Sequence, residues 1–148
     1  MSVFVDSDVF IAAFNSRDGS HSKGREVLER ALDGGYGEIY TSDFVLGEIV
    51  SGLIKFIEKG RLKRKEVVGL IEDTIQNSAI VSLKHVDRAT LGTAKTCFRR
   101  YYDKFLSLTD WSTAVLMRNL GIKYVMSFDH HFSTIKGIKE FSFIERVC

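Results

Sequence analysis

A chain of 148 residues, 45% hydrophobic and 27% charged, fits one domain with a real core, because a fold of this size hides roughly 70% of its unfolded surface. That balance excludes a disordered chain, and the lack of any run of about 18 apolar residues excludes a membrane-spanning helix. The net charge of +2 permits a polyanionic partner without demanding one, while Cys97 and Cys148 form neither a disulfide framework nor a Cys-x-x-Cys metal spacing, which excludes a disulfide scaffold.

The first residues, Met1-Ser2-Val3-Phe4-Val5-Asp6, enter a strand with no basic leader, so the expected setting is a reducing cytoplasm. Val3-Phe4-Val5 is a short apolar run of the kind a buried strand shows. Asp6-Ser7-Asp8 then turns the chain into a short helix through Val9–Phe14. A helix fits 22–32, and Ile39-Tyr40 is the second strand, followed through Thr41-Ser42-Asp43 by a helix to about Glu58. A further helix fits 63–77, and Ile80–Leu83 is the third strand, leading to a helix that ends near Tyr101. Phe98, Tyr101 and Tyr102 read as a core-facing cluster at its end. A helix over 110–120 precedes the fourth strand, Tyr124-Val125-Met126, with Ser127-Phe128-Asp129 as its exit, and Phe141–Ile144 reads as a closing strand. Gly34-Gly35, Gly60 and Gly121 stand just past helical segments, where a left-handed cap suits glycine.

Strands separated by helices predict an α/β domain, a three-layer α/β/α sandwich on a mainly parallel five-stranded sheet, because parallel neighbours need crossover connections. Asp6 and Asp129 each follow a strand, at the sheet edge where such folds bind ligands. If the first and fourth strands are neighbours, the two carboxylates converge. Glu48 falls just outside the apolar stripe of its helix, at the rim, and Asp110 shares a semi-buried helical face with Ala114 and Met117. Each also has a plainer role. Asp6, Asp8 and Asp129 suit helix caps, Ser107-Leu108-Thr109-Asp110 suits a capping box, and Glu48 suits a solvated edge charge.

Taken together, these pieces resemble the PIN-domain family, and within it the VapC-type ribonuclease toxins of toxin–antitoxin pairs. The matching segments are Val5-Asp6-Ser7-Asp8-Val9, Gly47-Glu48-Ile49-Val50, Leu106-Ser107-Leu108-Thr109-Asp110 and Ser127-Phe128-Asp129-His130-His131-Phe132, in the family's order along almost the whole chain. The resemblance implies that Asp6, Glu48, Asp110 and Asp129 surround the metal as catalytic and metal-binding residues. Asp8 and Ser127 are auxiliary, standing where the family usually has asparagine and commonly has threonine. It also implies an RNA substrate, a small antitoxin protein and a homodimer.

Clustered carboxylates raise one another's pKa, and a divalent cation resolves that conflict. Mg²⁺, or Mn²⁺, suits an all-oxygen set of this kind. Asp6 and Asp110 are the expected direct ligands, with Glu48 and Asp129 acting through water or accepting its proton. Arg61, Lys63, Arg64 and Lys65, Arg99 and Arg100, and Arg17 are candidate phosphate contacts, although charge runs also make ordinary solvated faces. His130 and His131 read as a surface turn, and His21 and His85 show no partner. The alternatives are a stand-alone RNA-processing nuclease of the same family, a non-catalytic binding module, and a phosphatase similar to haloacid dehalogenases. The last expects a threonine or valine where Phe10 stands.

Overall fold

A computed structural model describes residues 1–148. Five strands form one sheet: β1 (Ser2–Val5), β2 (Glu38–Ser42), β3 (Val81–Lys84), β4 (Tyr124–Met126) and β5 (Glu145–Arg146), in the order β3-β2-β1-β4-β5. Every pairing is parallel. Seven helices flank the sheet in three layers: α1 (Ser7–Phe14), α2 (His21–Arg30), α3 (Asp43–Glu58), α4 (Arg64–Ile71), α5 (Arg88–Arg100), α6 (Leu108–Leu120) and α7 (His131–Lys136). Wider turns carry α2 on to Gly35 and α4 on to Gln76, which accounts for the longer helices expected there. No helix is long and apolar enough to cross a membrane.

The centre of the sheet explains its sequence. Val3, Phe4 and Val5 of β1 are fully buried because strands lie on both sides and helices cover both faces, so no alternation with polar residues is possible. α6 is nearly as enclosed, with every residue from Asp110 to Met117 buried. Its Trp111 ring stacks on Tyr101 at 5.4 Å and meets Phe141 at 6.1 Å. Gly121, at φ 70°, closes α6 in the left-handed conformation.

α1 lies hard against α2, and the contact is made at Gly24. A Cβ there would stand 2.7 Å from the Ala12 Cβ and 2.8 Å from the Ala13 nitrogen. Backbone cannot yield as a side-chain tip can, so Gly24→Ala is expected to destabilise the fold by about 1–3 kcal/mol in urea unfolding. An unchanged midpoint would show that α2 can shift freely. The same neighbourhood gives His21 a partner, since its Nδ1 lies 2.8 Å from the Ala12 carbonyl oxygen.

Two expectations are corrected. Phe141–Ile144 is not a strand: Lys139–Phe141 forms a tight turn that drops Phe141 and Ile144 into the core, and pairing begins only at Glu145. The aromatic residues at the end of α5 also divide. The buried face of α5 is Thr90, Ala94 and Cys97, a series that Tyr101 continues, whereas Phe98 points about 100° away and Tyr102 leaves the helix in a tight turn. Both Phe98 and Tyr102 are exposed.

Candidate active site

β1 and β4 are neighbours in register, Val5 opposite Met126, and the ladder extends one residue further through the Asp6 N–H donating to the Met126 carbonyl at 3.0 Å. The chain leaves β1 toward β2 on one side, and leaves β4 toward β5 on the other. Diverging exits from adjacent parallel strands open a crevice at their carboxyl ends. Asp6 and Asp129 stand at that crevice.

Asp6 caps α1. Its Oδ1 accepts the Ser7 N–H at 2.8 Å, and its Oδ2 accepts the Ser127 hydroxyl at 3.0 Å. Asp8, one residue into α1, reaches across to the exit of β4. There its Oδ2 accepts the Ser127 hydroxyl at 3.2 Å and the backbone N–H groups of Phe128 at 2.9 Å and Asp129 at 3.1 Å. Its other oxygen, Oδ1, is buried and has no partner. One carboxylate oxygen from each of Asp6, Asp8 and Asp129 lies within 4.8 Å of the other two.

Glu48 joins from α3, where its Oε1 accepts the Ser7 hydroxyl at 3.0 Å. Asp110 comes from α6 and performs the capping role read from its sequence. The Ser107 hydroxyl accepts the Asp110 N–H at 3.1 Å, while Asp110 Oδ2 accepts the Ser107 N–H at 3.0 Å. That same Oδ2 lies 3.2 Å from His131 Nδ1, which is also 3.2 Å from Asp129 Oδ2. One imidazole therefore spans two of the four acids. The carboxylate that closes the cap also faces the imidazole it shares with Asp129.

The electrostatic result is uniform in direction. Burial, and then the neighbouring Asp8, hold the Asp6 carboxyl well above its ordinary pKa. Burial and Asp129 raise Asp8 against the pull of its three hydrogen-bond donors. Burial raises Glu48, with Asp110, Asp129 and Asp8 adding to it, and burial raises Asp110 despite the Ser107 N–H and His131. Crowded carboxylates with an orphaned buried oxygen and no lysine or arginine paired to them form a set that fits a hard divalent cation.

The sequence reading missed three contributors. His131 sits between two acids instead of in an idle turn. Ser7 fixes Glu48. Arg146 on β5 donates to the carbonyl oxygens of Phe128 at 3.3 Å and Asp129 at 2.7 Å, bracing the exit of β4 from behind. Only for His131 was a signal available, its place two residues after Asp129 at a helix start. The basic run before α4 is exposed, and its Lys63 pairs with Glu66 at 3.8 Å in solvent. His85, expected to lack a partner, lies 3.2 Å from Asp43. Cys148, its thiol pushed up to about 11 by burial, lies outside the acidic set.

An all-parallel sheet with carboxylates gathered at the β1/β4 switch point is an α/β architecture whose ligand-binding edge is acidic. The PIN domain model matches residues 3–138, and the chain belongs to the PIN-domain family. Among solved structures the fold is similar to Mycobacterium tuberculosis VapC20, a sarcin-ricin-loop-cleaving toxin, at TM-score 0.76 and 24% identity over 90% of this chain and 94% of that one. It is also similar to VapBC2 from Rickettsia felis, solved bound to a DNA fragment from its promoter, at TM-score 0.64 and 13% identity over 100% of both chains. No curated protein matches the sequence.

Proposed function

We propose that the chain is a metal-dependent endoribonuclease that hydrolyses RNA phosphodiester bonds, and that it serves as the toxin of a type II toxin–antitoxin pair. The observation that carries the chemistry is the convergence of Asp6, Asp8 and Asp129, one carboxylate oxygen of each within 4.8 Å of the others, with the Oδ1 of Asp8 buried and unpartnered. A buried carboxylate oxygen without a donor is costly unless a cation completes it.

Asp6, Asp8 and Asp129 would hold Mg²⁺ or Mn²⁺, with Asp110 and Glu48 adding negative charge at its edge. When bound, such an ion supplies charge stabilisation for the phosphoryl oxygens and eases deprotonation of the attacking water. The Ser127 hydroxyl lies 3.0 Å from Asp6 Oδ2 and 3.2 Å from Asp8 Oδ2, so its one proton is shared between the two carboxylates. Glu48 is half-buried with a raised pKa, and Ser7 anchors its Oε1. Its Oε2, which takes no hydrogen bond from the protein, is the atom assigned to take up the water's proton. His131 orients Asp110 and Asp129 together. Phe10 stands where a dehalogenase-like phosphatase expects a threonine or valine, which speaks against that reading.

The test is cleavage of RNA by the purified chain with Mg²⁺, with Mn²⁺ and with EDTA. Cleavage that requires the ion supports the reading, and intact RNA under all three conditions overturns it.

Likeness to the VapC20 and VapBC2 folds supports the toxin role and a small antitoxin as partner. An apolar trough between α3 and α4, lined by Val50, Ile54, Ile57, Val68 and Ile71, supplies a surface suited to a helix of such a partner. Ile54, on the exposed side of α3, tolerates a charge in the free protein. Where a short reading frame adjoins this one, Ile54→Asp is expected to weaken co-purification with its product at least about ten-fold while leaving cleavage intact. Undiminished co-purification would remove the trough from the partner reading.

A further inference from the structure

Outside the acidic crevice, the most unusual surface lies where α5 ends and the chain turns toward Asp110. Phe105 is 91% exposed, Tyr102 is 76% exposed and Phe98 is 48% exposed. Large rings in such a cluster are rarely left in water without a use. Phe105 is moreover the only residue other than glycine with positive φ, at 55°, a conformation that is rare for a bulky side chain.

The segment is firmly held on both sides. Tyr101 stacks on the buried Trp111 at 5.4 Å, Leu106 is buried, and Ser107 caps α6. The exposed rings therefore stand on fixed backbone. Lys95, Arg99, Arg100 and Lys104 are interleaved with them along the chain, with the acid Asp103, and Glu140 also comes near, its Oε1 accepting the Tyr101 hydroxyl at 3.4 Å. Asp103 is 3.9 Å from Lys104, while Lys95, Arg99 and Arg100 pair with no carboxylate. Asp110 is five positions after Phe105, so their Cα atoms are at most about 18 Å apart.

Building on the ribonuclease reading, we propose that Tyr102 and Phe105 form a stacking platform for unpaired bases of the RNA substrate, with Arg99 and Arg100 holding the phosphates that lead toward the acidic crevice. Aromatic faces accept any base, and the basic surround follows the backbone, the combination that single-strand binding sites use. Duplex bases are already stacked and cannot reach the rings. The substrate is then a loop or single-stranded segment. The alternative occupant, a second copy of the chain, is disfavoured by charge, because a two-fold contact here would press the Lys95, Arg99 and Arg100 cluster against its own image.

The experiment measures binding by fluorescence anisotropy in the Asp6→Asn background, where the RNA stays whole, using a short labelled single-stranded RNA and the same strand annealed to its complement. Tyr102→Ala and Phe105→Ala are each expected to weaken single-strand binding by about ten-fold, with duplex binding weaker and unaffected. Phe105→Trp retains affinity. Phe105→Gly, which suits the left-handed backbone, repeats the loss should the alanine variant fold poorly. Replacing Arg99 and Arg100 by Gln makes binding less dependent on salt. Single-strand affinity unchanged in both ring variants overturns the platform. If those variants also convert a dimer to a monomer in sedimentation, the surface belongs to a second copy. Metal-dependent cleavage by the wild-type chain alongside unchanged binding would leave the nuclease standing without the platform, and loss of both cleavage and RNA binding would overturn the two together.

Discussion

Asp6→Asn is expected to lower RNA cleavage by about 10³-fold or more, since an ion that stabilises the transition state is worth several kcal/mol and each 1.36 kcal/mol is a factor of ten. The substitution is nearly isosteric. Asparagine can still accept the Ser7 N–H that begins α1, so the helix start survives while the charge is lost. The same change is expected to stabilise the metal-free protein by about 1 kcal/mol, because Asp6 is buried beside Asp8 and its ionised form is penalised there. Activity and stability then move in opposite directions, which simple misfolding cannot produce. Asp43→Asn is the control: its carboxylate faces His85 at 3.2 Å and the Val86 N–H at 3.0 Å, outside the cluster, and cleavage should not change. Equal cleavage by wild type and Asp6→Asn in a quenched-fluorophore RNA assay would sink the mechanism.

Asp6 and Asp129 were legible because strand-end position is written in local sequence, an apolar triplet followed by an acid. Their convergence needed one fact that local sequence does not contain, the adjacency of β1 and β4 across more than a hundred residues of chain. Asp110 shows why a plain reading and a functional one need not compete. Its capping box is real, and the geometry that closes the box also delivers the carboxylate to His131. Asp8 and His131 were underestimated for the same reason. The Asp8 partners lie 119 to 121 positions away, so it looked like a first-turn acid beside the site instead of a tie between two strand ends. The shifted β5 and the exposed Tyr102 reflect a different limit, because periodicity identifies apolar residues but not the turn that decides which way they face.

The second large effect is on stability, and it couples metal to pH. Asp6, Asp8, Glu48 and Asp110 all have folded pKa values above their ordinary ones, with burial the leading cause in each. In the unfolded chain these groups are ionised above about pH 4. Between that point and their folded values the native state binds more protons than the unfolded one, so stability rises as pH falls. In EDTA the melting temperature is therefore expected to climb from pH 7 toward pH 5. Asp87 works in the other sense: the Thr90 N–H lowers its pKa, and the stability it gives is lost only below its ordinary value near 3.8, where the climb should reverse. A divalent ion competes with these protons for the same oxygens. At pH 7.5, Mn²⁺ at a hundred times its dissociation constant should add about 2.7 kcal/mol, a rise of about 5–10 °C for a chain of this length. The increment should shrink as the solution is acidified, and Asp129→Asn should remove most of it. A melting temperature that falls steadily from pH 7 to pH 5 in EDTA would mean that these carboxyls do not hold protons above their ordinary range, and one that ignores both ions at pH 7.5 would mean that the crevice is not a cation site, however closely its carboxylates are gathered.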